Sequence, residues 1–266
     1  MIVDQDQGLT RSPWHSASDS LSPALVGDMG GTNARFALVE PDSQGRPGIS
    51  AIREFPVAEF ASLEQLARYY LAENGGADAQ HAVLAVASAV NGDHVQITNH
   101  AWSFSIEALR QLLGLAALEV INDFAAIAMA IPHLKAADLC AIGPEPRALP
   151  QVNGGRFAIL GPGTGLGVAG LRFHRGEPIV IESEGGHIGF APLTAFEIEV
   201  LRVLQRRFPR VSAERLISRA GLLNLYGAVC AIENAPAVLA TPPAITAEAD
   251  RDRDGCAARA VGVLCG

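Results

Sequence analysis

Residues 25–40 read LVGDMGGTNARFALVE, an apolar alternation interrupted by an aspartate, two glycines and a threonine. Glycines here let the backbone approach a bulky anion without interference from Cβ, and the amides from Gly27 through Met29, Gly30 and Gly31 can converge on it as a nest. Thr32 adds a hydroxyl donor. A carboxylate beside such a nest repels an anion unless a cation lies between them, so Asp28 reads as the holder of Mg2+, directly or through water. A second stretch, GPGTGLG (161–167), has the same make-up around Gly163, Thr164 and Gly165. The plain alternative for either stretch is an ordinary hairpin turn. The G-x-x-x-x-G-K-[ST] phosphate loop does not occur, and a dinucleotide turn must open a helix, whereas VAGLRF after Gly167 reads as strand. Both turns therefore join strand to strand, and residues 25–39 and 158–173 echo each other as strand, glycine turn, strand.

The remaining chemistry lies in isolated acids and amides. Asp123 stands between the strand-like LEVIN and the helix-like FAAIAMAI. It can cap that helix, or it can act as a general base at the C-terminal end of a strand, where α/β folds place their sites. Asn122 has both acceptor and donor atoms, which suits a neutral polyol, although a turn residue is the simpler reading. In ESEGGHIGF, two glycines separate Glu184 from His187 and can aim both at one ligand. Glu214, in SAER, either faces solvent or accepts a ligand hydroxyl. Asn99 and Trp102 belong to TNHAW, with Trp102 reading as core.

The elements that position these residues alternate in type. Strand patterns at 81–90, 94–104, 118–121 and 156–173 alternate with helical ones. Ser62 and Ser105 serve as N-caps, Gly75 and Gly114 as stops, and Pro132 ends the helix after Asp123. A further helix is expected from about Thr194 to Phe208 and another over CAARAVGVLCG, with residues 233–246 as an Ala/Pro-rich loop. The alternation predicts an α/β fold. Residues 1–23, rich in Ser, Asp, Gln and Pro, are expected to be a flexible tail. With 266 residues, 49% hydrophobic and a net charge of −8, the chain can build large cores but lacks the basic surface that nucleic acid needs. Four scattered cysteines, no signal peptide and no long apolar run point to a cytoplasmic protein without a membrane span.

The motifs GDMGGTNARFAL, ITNHAWSFS, LEVINDFAAIAMAIP, GPGTGLGVA, ESEGGHIGFAP and VSAERLISRAGLLNLY occur in the order found in bacterial glucokinases of the non-ROK type, which the sequence resembles over most of residues 24–230. The cysteine-rich zinc motif of ROK kinases is not present after Gly186-His187. The resemblance implies a two-domain, actin-like (RNase H-like) sugar kinase fold with an intervening cleft. A small domain (24–132) would carry Asp123 and the first turn, and a large one (133–266) the second turn and the sugar acids. It implies phosphorylation of the glucose 6-hydroxyl by ATP with Mg2+. Asp123 would be the base, and Asn99, Asn122, Asp123, Glu184, His187 and Glu214 would contact glucose. Gly27–Thr32 and Gly163–Gly165 would hold ATP. A homodimer is also implied. The family continues with an adenosine-contacting segment and a closing helix, so the second domain is expected to be incomplete. The rival readings are a kinase for another hexose or an amino sugar, and a sugar-binding protein without catalysis.

Overall fold

The computed structural model describes residues 22–41, 47–97, 102–142 and 155–266. The tail expected over residues 1–23 lies almost wholly outside them. The chain divides into two compact units, Met1–Ala126 and Ile127–Gly266.

The first unit opens with an antiparallel meander of β1 (Ala24–Met29), β2 (Asn33–Pro41) and β3 (Pro47–Pro56). After α1 (Leu63–Glu73), strand β4 (His81–Val86) pairs with β1 in parallel. A short hairpin, β5 (His94–Gln96) and β6 (Ser103–Ser105), leads through α2 (Ile106–Leu113) to β7 (Ala117–Asn122), which lies parallel to β4. The mixed sheet thus runs β3-β2-β1-β4-β7. Its apolar alternation sends Leu25, Met29, Phe36 and Leu38 into one core with Leu63, Leu66 and Tyr70 of α1. Tyr70 stacks on Phe36 with ring centroids 5.2 Å apart. Its hydroxyl donates to the Ala51 carbonyl at 2.8 Å, satisfying the one polar atom of the ring. Ser62 and Ser105 cap α1 and α2, and Gly114 ends α2 in the left-handed region, as their positions predict. Trp102 is 6% exposed and belongs to this core.

From β7 the chain enters α3 (Asp123–Ala130) directly, and Pro132 lies in the 3-10 turn that follows it. The second unit repeats the meander with β8 (Arg156–Pro162), β9 (Leu166–His174) and β10 (Glu177–Ser183), all antiparallel, in the order β10-β9-β8. Among the described residues, the far edge of β8 pairs with nothing. Four helices follow: α4 (Ala195–Gln205), α5 (Arg219–Ile232), α6 (Pro242–Arg251) and α7 (Cys256–Cys265). They close over Val200, Leu204, Leu225, Val229, Ile245 and Ala260.

The loop expected through residue 246 gives way to helix at Pro242. Thr241 accepts the Ala244 N–H, and the two prolines occupy the first turn, where a helix has no use for their missing N–H groups. Among the described residues, no helix is long and apolar enough to cross a membrane.

Candidate active site

Both glycine turns close antiparallel hairpins. In the first, the Gly30 N–H donates to the Asn33 carbonyl at 3.0 Å, and the Thr32 carbonyl accepts from Val57 N at 3.0 Å. Neither Gly30 nor Gly31 has a positive φ, so neither is required here for an otherwise forbidden backbone shape. Gly27 has a different reason to be glycine: a Cβ there would come within 2.7 Å of Met29 Cε and 2.9 Å of Phe36 and Leu84 side-chain atoms. Its side faces the core and the Met29 side chain is fully buried, so neither offers a side chain to a ligand, and β1 pairs with a strand on each side of them. Asp28 points to the other, exposed face. Opposite it in register lies Arg35, whose Nη1 is 3.9 Å from Asp28 Oδ2 and whose Nε donates to Glu54 at 2.8 Å. The alternation of β2 already placed Arg35 across from Asp28, a signal the sequence reading did not use.

The parallel register of β1, β4 and β7 aligns Met29 with Val86 and Val86 with Asn122. The first turn and the Asn122-Asp123 pair therefore emerge at the same end of the sheet. Asn122, not Asp123, occupies the cap position. Its Oδ1 accepts the N–H groups of Phe124 at 2.9 Å and Ala125 at 3.2 Å, and its Nδ2 donates to the Ser88 carbonyl at 3.3 Å. Asp123 is the first residue of α3, half-buried, with Oδ1 also accepting from Phe124 N at 2.9 Å. Burial pushes its carboxyl above the ordinary value, and the Asp28 charge adds to the shift. The Phe124 N–H opposes both. A carboxylate held in this way retains more proton affinity than a solvated one, which suits a general base.

Among the described residues, no group of three or more acidic, His or Cys side chains could hold a metal. Mg2+ keeps waters and takes one or two carboxylates together with phosphate oxygens. Asp28 is exposed, and it lies close enough to Asp123 for the two charges to repel.

In the second unit the predicted residues converge on Leu166. The turn Gly163-Thr164-Gly165 closes through Gly163 N donating to the Gly165 carbonyl at 2.8 Å. The Leu166 N–H donates to Glu214 Oε2 at 3.0 Å. On the other side of the same residue, the Leu166 carbonyl lies against Gly186 so closely that a Cβ there would overlap it. Gly185 is equally hemmed in, with an added Cβ 2.9 Å from Val168 Cγ1. The Gly185–His187 turn is thereby seated on the start of β9, and its exposed Glu184 and His187 side chains stand 3.6 Å apart. The strand-like pairing of Gly189 with Ser212, and Ala213 N donating to the Ile188 carbonyl at 2.8 Å, stitch this stretch to the one carrying Glu214. Arg210 also donates to the His187 carbonyl. Asn99 lies outside the described residues. The anchoring atoms at Leu166 and Ser88 are backbone, and no side-chain motif announces them.

A family model described as Glucokinase matches residues 25–266. The glucokinase of Marinobacter nauticus is 43% identical over 244 residues, covering 91% of this chain and 73% of that protein. The glucokinase of Stenotrophomonas maltophilia is 44% identical over 253 residues, covering 93% and 74% respectively. Among solved structures, the glucokinase from an Antarctic psychrotroph superposes with a TM-score of 0.78 at 34% identity, covering 92% of this chain and 76% of the other.

Proposed function

This chain belongs to the glucokinase family, and on that premise we propose how its residues divide the transfer of a phosphoryl group from ATP to glucose. A sugar hydroxyl is a weak nucleophile, and Asp123 accepts its proton as the sugar oxygen bonds to the γ-phosphorus and the bond from that phosphorus to the β,γ-bridging oxygen breaks, releasing ADP. The contribution is roughly 10²–10⁴-fold. Asn122 holds the helix that carries Asp123, and by resemblance it is assigned to glucose, as are Glu184, His187 and Glu214. Asn99 joins them by resemblance. Acceptors of this kind penalise a sugar lacking the matching hydroxyl, because one of them is left unpaired.

Gly30 and Gly163 use their amides to close their own turns, and Gly27–Met29 lie in the β1 ladder. Within Gly27–Thr32 and Gly163–Gly165, the amides assigned to the phosphates are therefore those of Gly31, Thr32, Thr164 and Gly165, which would supply fixed dipoles where charge develops. Asp28 and the phosphates would hold Mg2+, which when bound neutralises charge on the transferring group. Four scattered cysteines with no C-x-x-C pair support a cytoplasmic location, and the net charge of −8 argues against nucleic acid. The homodimer has the resemblance for its support.

The observation that carries this reading is Asp123 itself. It is a half-buried carboxyl with raised proton affinity, at the C-terminal end of a parallel strand level with a glycine turn. A coupled assay for ADP tests it. Release should require glucose and vanish in Asp123→Ala with the fold intact by circular dichroism. Glucose binding by calorimetry without glucose-dependent ADP release overturns catalysis and leaves a binding protein.

A further inference from the structure

We propose that Glu214 is a positioning residue for the glycine turn at 163–165, in addition to its assignment as a sugar-hydroxyl acceptor; the ligand side of this inference rests on the reading above. The turn is held from outside at both ends. At its exit, Leu166 N–H donates to Glu214 Oε2 at 3.0 Å. At its entrance, the Gly163 carbonyl accepts from Arg219 N at 2.8 Å. Both external partners come from one short segment, residues 214–219.

That segment is itself fixed. Ser218, 5% exposed, donates its hydroxyl to the Glu214 carbonyl at 2.8 Å and accepts the Gly221 N–H at 2.9 Å as the cap of α5. Its oxygen therefore ties the backbone of Glu214 to the first turn of a long, buried helix. Gly221 is packed so tightly on Leu216 that a Cβ would overlap the Leu216 backbone, which locks the same corner from below. Gly165 completes the arrangement. A Cβ there would overlap Glu214 Oε2, so glycine leaves the carboxylate the space it occupies beside the next amide.

One oxygen of Glu214 is committed to the turn, so an acid assigned to the sugar and a turn assigned to the nucleotide form one hydrogen-bonded unit. The acceptor that matters is an oxygen at the end of the side chain, and a glutamine amide can supply it equally well. Alanine cannot.

The test compares Glu214→Ala with Glu214→Gln in the full chain. Without ligand, hydrogen exchange at the Leu166 amide should quicken about tenfold or more in Glu214→Ala, and ADP affinity measured without glucose should weaken about tenfold. Glu214→Gln should return both to within about threefold of the parent while the KM for glucose stays raised. Exchange at Leu166 in Glu214→Ala within twofold of the parent overturns the proposal, as does a Glu214→Gln that behaves like Glu214→Ala. Should Glu214→Ala not fold, Glu214→Asp, whose shorter side chain draws the carboxylate back from Leu166, should produce the same two changes, and an unchanged Leu166 amide in it is equally fatal. A parent protein that binds no ADP, yet shows the expected exchange pattern, defeats the kinase reading and leaves the anchor standing.

Discussion

The side chains of Asn122 and Asp123 meet on a single donor: the Oδ1 atom of each accepts the Phe124 N–H, at 2.9 Å in both cases. Neighbouring residues here divide two duties that one aspartate would otherwise have to combine. Asn122 reaches a second helical amide and the Ser88 carbonyl, so the start of α3 stays closed whatever the protonation of Asp123.

Asn122→Ala removes the cap and should cost about 1 kcal/mol, a fall of a few degrees in Tm. Asn122→Asp keeps an oxygen acceptor for both amides and so should spare most of the stability. It places a second negative charge beside Asp123, however, and should move the acid limb of kcat/KM to higher pH. Paired melting curves and pH–rate profiles check this, and equal Tm loss in the two variants would speak against the cap.

The shift at Asp123 gives a pH dependence with a definite sign. Its folded carboxyl binds a proton more tightly than a solvated one, so its favourable contribution is complete below the unfolded value and is lost as pH rises through the folded one. At pH 7 the ionised group is therefore a burden. Asp123→Asn should melt a few degrees higher than the parent at pH 7, with the difference closing in acid, while turnover falls by roughly 10²-fold or more. Asp28→Asn removes the neighbouring charge and should move the acid limb of the remaining activity to lower pH. Thermal scans from pH 4 to 8 and the rate profile supply the readings.

Gly186→Ala should be damaging out of proportion to its size. The added methyl would overlap the Leu166 carbonyl, so the turn bearing Glu184 and His187 must lift from β9. Overpacking of this kind costs about 1–3 kcal/mol. The KM for glucose should rise more than the KM for ATP. A Tm and both constants equal to the parent's would show that the turn has room.

Three of the four cysteines should separate by rate. Cys140 and Cys265 are exposed and should react promptly with a disulfide reagent. Cys230 is buried, and desolvation pushes its thiol up, so it should react only after unfolding. Counting thiols titrated with and without denaturant checks the order.

Much of this was readable from residue types. Ser62, Ser105 and Gly114 mark their helix ends because each fills a local hydrogen-bonding or backbone requirement, and the two glycine turns lie between strands as their flanking alternation predicts. Residues 233–246 are expected to be a loop because Ala and Pro dominate them and paired prolines usually signal interruption, whereas the tolerance of Pro242 and Pro243 in a first turn depends on Thr241 ahead of them. Asp123 was weighed as a cap when the cap is Asn122, because a one-residue difference in where a helix starts is not encoded in composition. The convergence of Gly165, Gly186 and Glu214 on Leu166 depends on backbone atoms brought together from distant segments, which no motif records.

The two meanders end differently. On β1 the sheet goes on to β4 and β7, whereas among the described residues β8 carries its ladder on one side only. A bare row of amides and carbonyls is a template that accepts any extended chain, with little regard for side-chain identity. Pro162 blunts one end of that row, but Leu160, 63% exposed, adds apolar surface next to it. A charged residue in place of Leu160 should therefore lower any association of concentrated protein through this strand.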